Sequence, residues 1–331
     1  MAPELADRIF DSFSGASDSA PLPDLCPPLL AEQKIAWKEL GEGYAGLQAV
    51  RVRELQCNGF SVKLQYNPKR IASTGANLEP GYIEKRPCFL CPQNLPATQK
   101  GILYRGEFFV LCNPAPIFNP HYTISNTGHL PQLFAAALPS FLQLAADFGE
   151  RFTILYNGAA CGASAPDHLH FQAVPAGSMP VEDDLCQTQK RHLVKQGNDA
   201  FLSGTRSTGR AAIIIEGKNR AGMEDLLKKA MAATKKILAA PGEPMVNIFC
   251  TYRDAGWRLF LFPRRKHRPD IYFAGEEEKI LVSPGAAEMG GVVVTPREQD
   301  YRRLDAATIE SIFNEVSPDQ ESLNRILDEI P

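Results

Sequence analysis

The segment Tyr156 to Pro175, YNGAACGASAPDHLHFQAVP, places two of the chain's six histidines and a glutamine at alternate positions behind a loop of Gly, Ala and Ser. Alternate side chains of a strand share a face, so His168, His170 and Gln172 are expected to point the same way. Imidazoles at that spacing, fed by small residues that let backbone N–H groups approach a ligand closely, make a site for attack on phosphorus. A His-x-His pair alone is as often a structural metal site or a surface pair. Asn157, Gly158, Gly162, Ser164 and Gln172, all within the same segment, tilt the reading toward catalysis.

A second signal is Cys88-Phe89-Leu90-Cys91, in EKRPCFLCPQNLP. Two thiolates at this spacing hold one side of a tetrahedral zinc and leave two ligands to come from elsewhere in the chain. His129, in SNTGHLPQL, and His168 are the candidates, with His121, close before His129, as a competitor. A Phe-Leu interior does not look like a redox motif. The alternative is two buried apolar cysteines without a metal.

Together these residues resemble the histidine-triad superfamily in its transferase branch, where the last histidine of His-x-His-x-His is replaced by glutamine. That branch holds galactose-1-phosphate uridylyltransferase, diadenosine tetraphosphate phosphorylase and GDP-L-galactose phosphorylase. The resemblance implies that the middle histidine, here His170, becomes covalently nucleotidylated, and that Gln172 hydrogen-bonds the phosphoryl oxygens. It matches Asn157, Gly158, Ala159 and Ala160 to the Asn-Gly-Ala-Ala loop of the uridylyltransferases, and Cys88, Cys91, His129 and His168 to their structural zinc ligands. Asn67-Pro68-Lys69-Arg70 resembles an early Asn-Pro-x-Arg motif, which offers Arg70 as a phosphate contact. SPGAAEMGGVVVTPREQDY is similar to the carboxy-terminal region of the GDP-hexose phosphorylases. The chain departs by one extra residue before His168 and by Asp167 and Leu169 in place of prolines, so substrate identity does not transfer.

With 331 residues, 44% of them hydrophobic, the chain can bury one large core or two ordinary ones. A net charge of −3 and a pI near 6.1 argue against a general nucleic-acid or anionic-membrane surface. No apolar run reaches membrane-spanning length, and MAPELADRIFDS lacks a signal peptide's charged start and apolar centre. A cytoplasmic protein with reduced thiols and one metal is expected, since eight cysteines are too sparse for a disulfide scaffold. The expected partners are a nucleotide or nucleotide sugar and a phosphate or sugar phosphate, with no nucleic acid and no membrane; a homodimer is left open.

Residues 1–30, rich in Ser, Pro and Ala, read as a flexible N-terminal arm. Residues 31–175 read as the catalytic half. It contains a hairpin at Asn58-Gly59, a turn-rich stretch around the cysteines, and a helix at 133–148 between strand signals. Residues 176–207 read as a polar connector with modest helical character. From 208 to 331 the order returns: a strand near 211–216, a helix near 223–238, and strands near 245–252 and 257–262. The link between those last two strands, Arg253-Asp254-Ala255-Gly256, is too tight for a phosphate loop, and no His-x-His follows. The expected fold is therefore α+β, with two tandem histidine-triad-like halves, mainly antiparallel sheets and packed helices, the second half degenerate.

The last of those strands runs into FPRRKHRP, where Arg264, Arg265 and Lys266 are candidate phosphate ligands or a solvated run. The expected activity is that of a nucleotidyltransferase or phosphorylase, like a GDP-hexose phosphorylase or galactose-1-phosphate uridylyltransferase, passing through a nucleotidyl-histidine. The rivals are a histidine-triad-type nucleotide hydrolase and a non-enzymatic zinc-stabilised nucleotide-binding protein. Gln172 disfavours the first because an amide cannot serve as acid or base, and an intact His170 disfavours the second.

Overall fold

The computed structural model describes residues 6–17, 20–75, 77, 79–197, 199–206 and 209–331. In chain order the strands are β1 (Ile9–Phe13), β2 (Arg51–Cys57), β3 (Phe60–Tyr66), β4 (Gly101–Tyr104), β5 (Phe108–Cys112), β6 (Tyr122–Asn126), β7 (Phe152–Asn157) and β8 (His170–Pro175). They continue with β9 (Arg191–Gly197), β10 (Ala200–Thr205), β11 (Ile213–Gly217), β12 (Val246–Arg253), β13 (Gly256–Pro263) and β14 (Val292–Thr295). The main helices are α1 (Leu22–Ala36), α2 (Phe134–Phe148), α3 (Arg220–Ile237), α4 (Ala306–Val316) and α5 (Gln320–Glu329).

One eleven-stranded sheet runs in the order β1-β4-β5-β6-β8-β7-β12-β13-β11-β10-β9. From β4 to β7 the order is two hairpin neighbours, a third strand, then the last two reversed; β9 to β12 repeat it from the other edge. The two runs meet at the antiparallel pair β7·β12, where Leu155 faces Phe249. Every pairing in this sheet is antiparallel except β1 with β4.

The sheet is buried on both faces, and strand alternation sorts its side chains. Ile154, Tyr156, Phe171, Ala173, Ile213, Ile215, Ile248 and Leu261 pack under helices α1, α2, α3 and α5. Their neighbours Leu155, Val174, Ile214, Phe249 and Phe260 pack the other way, against the small sheet β14-β3-β2 and α4. In α2, Phe134, Ala137, Leu138, Phe141, Leu142, Ala145 and Phe148 recur at helical spacing and lie on the sheet. On β8 this alternation sends Phe171 and Ala173 to the helices and leaves His170 and Gln172 for the opposite face.

Three expectations change. The arm over residues 1–30 contains β1 and the first turns of α1, whose Leu22, Cys26 and Leu29 are fully buried. Prolines at the start of a helix fit there, and the apolar spacing holds it down. The connector 176–207 forms the hairpin β9·β10, the outer edge of the large sheet. Its mixed polarity reflects that edge position. Finally β8 starts at His170, so His168 lies in the turn before the strand, with its N–H on the Ala165 carbonyl. The hairpin at Asn58-Gly59 forms with Gly59 at φ 85, and Asp254 and Ala255 turn β12 into β13 at φ 52 and 57. No described helix is long and apolar enough to cross a membrane.

Candidate active site and metal centre

The paired cysteines meet two histidines. The donor atoms of Cys88, Cys91, His129 and His168 lie within 4.8 Å of one another. His168 Nδ1 is 3.3 Å from Cys88 Sγ, and His129 Nδ1 is 3.2 Å from Cys91 Sγ. Donors on one tetrahedral ion at ordinary Zn–S and Zn–N lengths stand about 3.5 to 4 Å apart, close to these separations. The tautomers suit the purpose: His168 Nε2 lies 2.8 Å from the Asn126 carbonyl, to which it donates, leaving Nδ1 with its lone pair toward the thiols. Burial, reinforced by Cys88, holds the Cys91 thiol up at about 11. A cation in the cluster would have to displace that proton. Two sulfurs and two imidazoles with no carboxylate in the set suit zinc better than a hard ion.

Next to this cluster the chain enters the large sheet at His170. Its Nδ1 lies 2.8 Å from the His168 carbonyl, which can only accept, so Nδ1 carries the proton and Nε2 keeps a lone pair. Burial holds the imidazole down at about 4, so it is neutral near pH 7. The main chain at this point is gripped by the fully buried Gln132. Its Oε1 accepts from the His170 N–H at 2.7 Å, and its Nε2 donates to the carbonyls of Asn157 and His170 at 2.8 and 3.0 Å. The amide thus stands between β7 and β8 where the loop 158–169 parts them.

Two further amides are oriented by their partners. His121 Nδ1 accepts from the Ile117 N–H at 3.2 Å, so its Nε2 carries the proton and donates to Gln172 Oε1 at 2.7 Å. Gln172 therefore turns its NH₂ away from His121. Asn157 Oδ1 accepts from Asn247 Nδ2 at 2.8 Å and from the Ala286 N–H at 2.7 Å, which leaves its NH₂ free to face elsewhere. Both residues, with His170, Gly162 and Ser164, line a cavity of about 680 Å³. Gly162 is there for close approach: at φ +98, a Cβ would lie 2.7 Å from both Asn157 Oδ1 and the Gly285 Cα.

Arg70 reaches the same cavity from the segment after β3. Its Nη1 donates to the Ala115 carbonyl at 2.6 Å, while its buried Nε has no partner among the described residues. The wall opposite β8 comes from the far end of the chain: His267, Arg268, Ser283, Ala286 and Glu288. The cavity thus combines a neutral imidazole, two directed amides and guanidinium groups, the equipment for covalent transfer of a phosphoryl-linked group.

Residues 29–175 match the model of a domain of unknown function, DUF4922, and residues 212–330 match the GDPGP1-like C-terminal domain. The fold is similar to that of yeast Ap4A phosphorylase Apa2 in complex with Ap4A, with TM-score 0.53 and 15% identity over 85% of this chain and 97% of that one. The chain therefore shares the α+β fold of that phosphorylase. A DUF4931 family protein from Bacillus cereus matches with TM-score 0.35 and 14% identity, over 50% of this chain and 86% of that one. No curated protein sequence matches significantly.

The basic run differs from its sequence reading. Arg264 is 1% exposed, and its guanidinium donates to the carbonyls of Val316, Pro284, Lys266 and His267 and to Asn247 Oδ1. Arg265 donates to the Glu315 and Asn314 carbonyls, and Lys266 pairs with Asp270 and Glu315. None of the three lines the cavity, because the chain after β13 packs on the end of α4. His267 and Arg268 are the members of the run that line it. Gly158 also stands outside the lining; its N–H bonds the Val246 carbonyl at 3.0 Å, and a Cβ would press on that oxygen. His121 serves Gln172, and His129 occupies the cluster. Sequence reasoning missed Gln132, Asn247 and Glu288, whose roles depend on partners distant in the chain.

Proposed function

We propose that this protein is a nucleotidyltransferase or phosphorylase acting by double displacement on a nucleoside diphosphate sugar or a dinucleoside polyphosphate. The observation that carries the reading is the neutral imidazole of His170, whose Nδ1–H is held by the His168 carbonyl so that Nε2 is left to attack. Nε2 forms a bond to the α-phosphorus as the bridging P–O bond breaks, and the electron pair leaves with a sugar phosphate or nucleotide. The His168 carbonyl supports the charge that the imidazole then carries. An oxygen of inorganic phosphate or of another phosphate attacks the same phosphorus, the P–N bond breaks, and His170 is neutral again. The amides of Gln172 and Asn157, with Ser164, bind the equatorial oxygens as charge develops on them. Arg70 and Arg268 hold the flanking phosphates. Cys88, Cys91, His129 and His168 would hold a structural zinc, whose four protein ligands leave it the role of fixing the turn before His170. Free thiols throughout fit a reducing, cytoplasmic setting.

The test is direct. Incubation with nucleoside diphosphate sugars and dinucleoside polyphosphates labelled at the α-phosphate should give an acid-labile adduct on His170. His170→Ala should lose turnover and adduct while retaining its fold and much of its nucleotide binding. Near-wild-type turnover by that variant would sink the mechanism. Products that need water rather than phosphate would move the assignment to a hydrolase.

A further inference from the structure

Arg264 sits too deep to meet a ligand, yet it ends a chain of hydrogen bonds that reaches the cavity. Its Nη1 is 2.5 Å from Asn247 Oδ1; Asn247 Nδ2 is 2.8 Å from Asn157 Oδ1 and 2.9 Å from the Cys161 carbonyl; Asn157 lines the cavity beside His170. The direction of this chain is forced. A guanidinium has five donors and no acceptor, so the Asn247 atom facing it must be oxygen. The nitrogen of Asn247 must then face Asn157 and the Cys161 carbonyl. Asn157, receiving that donor and the Ala286 N–H, must turn its oxygen inward and its NH₂ outward. Without Arg264 the Cys161 carbonyl alone would orient Asn247, and without Asn247 the Ala286 N–H alone would keep the Asn157 oxygen from turning toward an anion.

We infer that Arg264 and Asn247 are positioning residues that fix the orientation of the Asn157 amide, so that it donates to the reacting phosphoryl group. The inference rests on the proposed nucleotidyl transfer. It gives the half of the chain that lacks a nucleophile a part in the chemistry of the other half. Arg264 and Asn247 both belong to that second half, Asn247 on β12 and Arg264 directly after β13. The arrangement parallels the one at Gln172, where the Ile117 N–H and His121 act as the donors in series. Two amides are thereby aimed from opposite sides, each by a donor that cannot reverse.

Asn247→Asp separates orientation from packing. The variant is nearly isosteric and keeps, with a full charge, its bond to Arg264, so a residue serving only as packing would tolerate it. It offers Asn157 an acceptor where a donor stood. The expected result is a protein that still unfolds cooperatively, somewhat destabilised by the carboxylate facing the Cys161 carbonyl, and formation of the nucleotidyl-enzyme slowed at least tenfold in a single turnover, with a smaller change in nucleotide affinity. A rate within twofold of wild type overturns the inference. The second test is a cycle of Asn247→Leu with Asn157→Ala. If Asn247 acts through Asn157, the loss caused by leucine should vanish once Asn157 is alanine; losses that multiply overturn it, whatever the aspartate variant does. Failure of the underlying reading looks different, since the wild-type protein would then form no adduct with any α-labelled nucleotide, and the relay would lose its catalytic role with it.

Discussion

At the scale of single residues, the site is governed by which nitrogen carries a proton. His121 and His170 are both held at about 4 by burial, against an ordinary value of 6.5. The sign of the linkage follows. Between pH 6.5 and 4 the unfolded chain binds more protons at these positions than the folded one, so stability is full above about 6.5 and falls as the pH drops toward 4. Each group can remove up to about 3 kcal/mol across that window. Urea midpoints measured from pH 8 to pH 4 should fall below pH 6.5, and His121→Asn should flatten part of the decline. Adduct formation on the native protein should hold its rate down to about pH 5. An acidic limb centred near 6.5 would contradict the neutral, buried imidazole. Much of this site was legible beforehand because His168, His170, Gln172 and the loop glycines are neighbours in sequence. Gln132, His121 and Asn247 were not, since an isolated amide or imidazole carries no mark of the partner that will orient it.

Among the elements, the cysteine-containing segment does two jobs. Its Cys88 and Cys91 join the cluster with His168, two residues from His170, while Tyr82, Arg86 and Phe89 line the cavity. Arg86 also pairs with Asp167 at 2.7 Å, on the turn that carries His168. The cluster therefore ties a wall of the cavity to the start of β8. Cys91→Ser, or chelator treatment of protein shown by elemental analysis to carry a metal, should lower the melting temperature by several degrees and open residues 80–96 to protease. Nucleotide binding should weaken about tenfold, as for other disturbed ligand shells. Binding and melting unchanged in a protein shown by elemental analysis to be metal-free would remove the cluster from that role. The long, periodic elements were readable: α2, α3, β7, β12 and the Asn58-Gly59 hairpin follow from spacing and turn chemistry. What escaped was pairing. β14 joins β3 in parallel across more than two hundred residues, and β9, paired only with β10, is an edge strand whose mixed polarity resembles a connector.

For the whole molecule, the repeated strand order was foreseen in outline, but not that the two runs would fuse into one continuous sheet and share one cavity. Charge is divided between them differently from the sequence reading. Arg268→Ala should slow use of a phosphate acceptor about tenfold or more, in line with one charge-assisted hydrogen bond of about 1.5 to 3 kcal/mol. Arg265→Ala should stay within twofold, because its guanidinium is spent on the end of α4. Measuring the two half-reactions separately checks both, and equal effects from the two substitutions would reject the division.

The seam at β7·β12 lies inside one covalent chain, and that has a bearing on how the protein behaves when it is scarce. In a pair of separate subunits, the strand completing the sheet would come and go with subunit concentration. Here its local concentration is set by the tether between the halves and never falls. Arg268 and Glu288 thus stay on the cavity they share with His170 at any dilution.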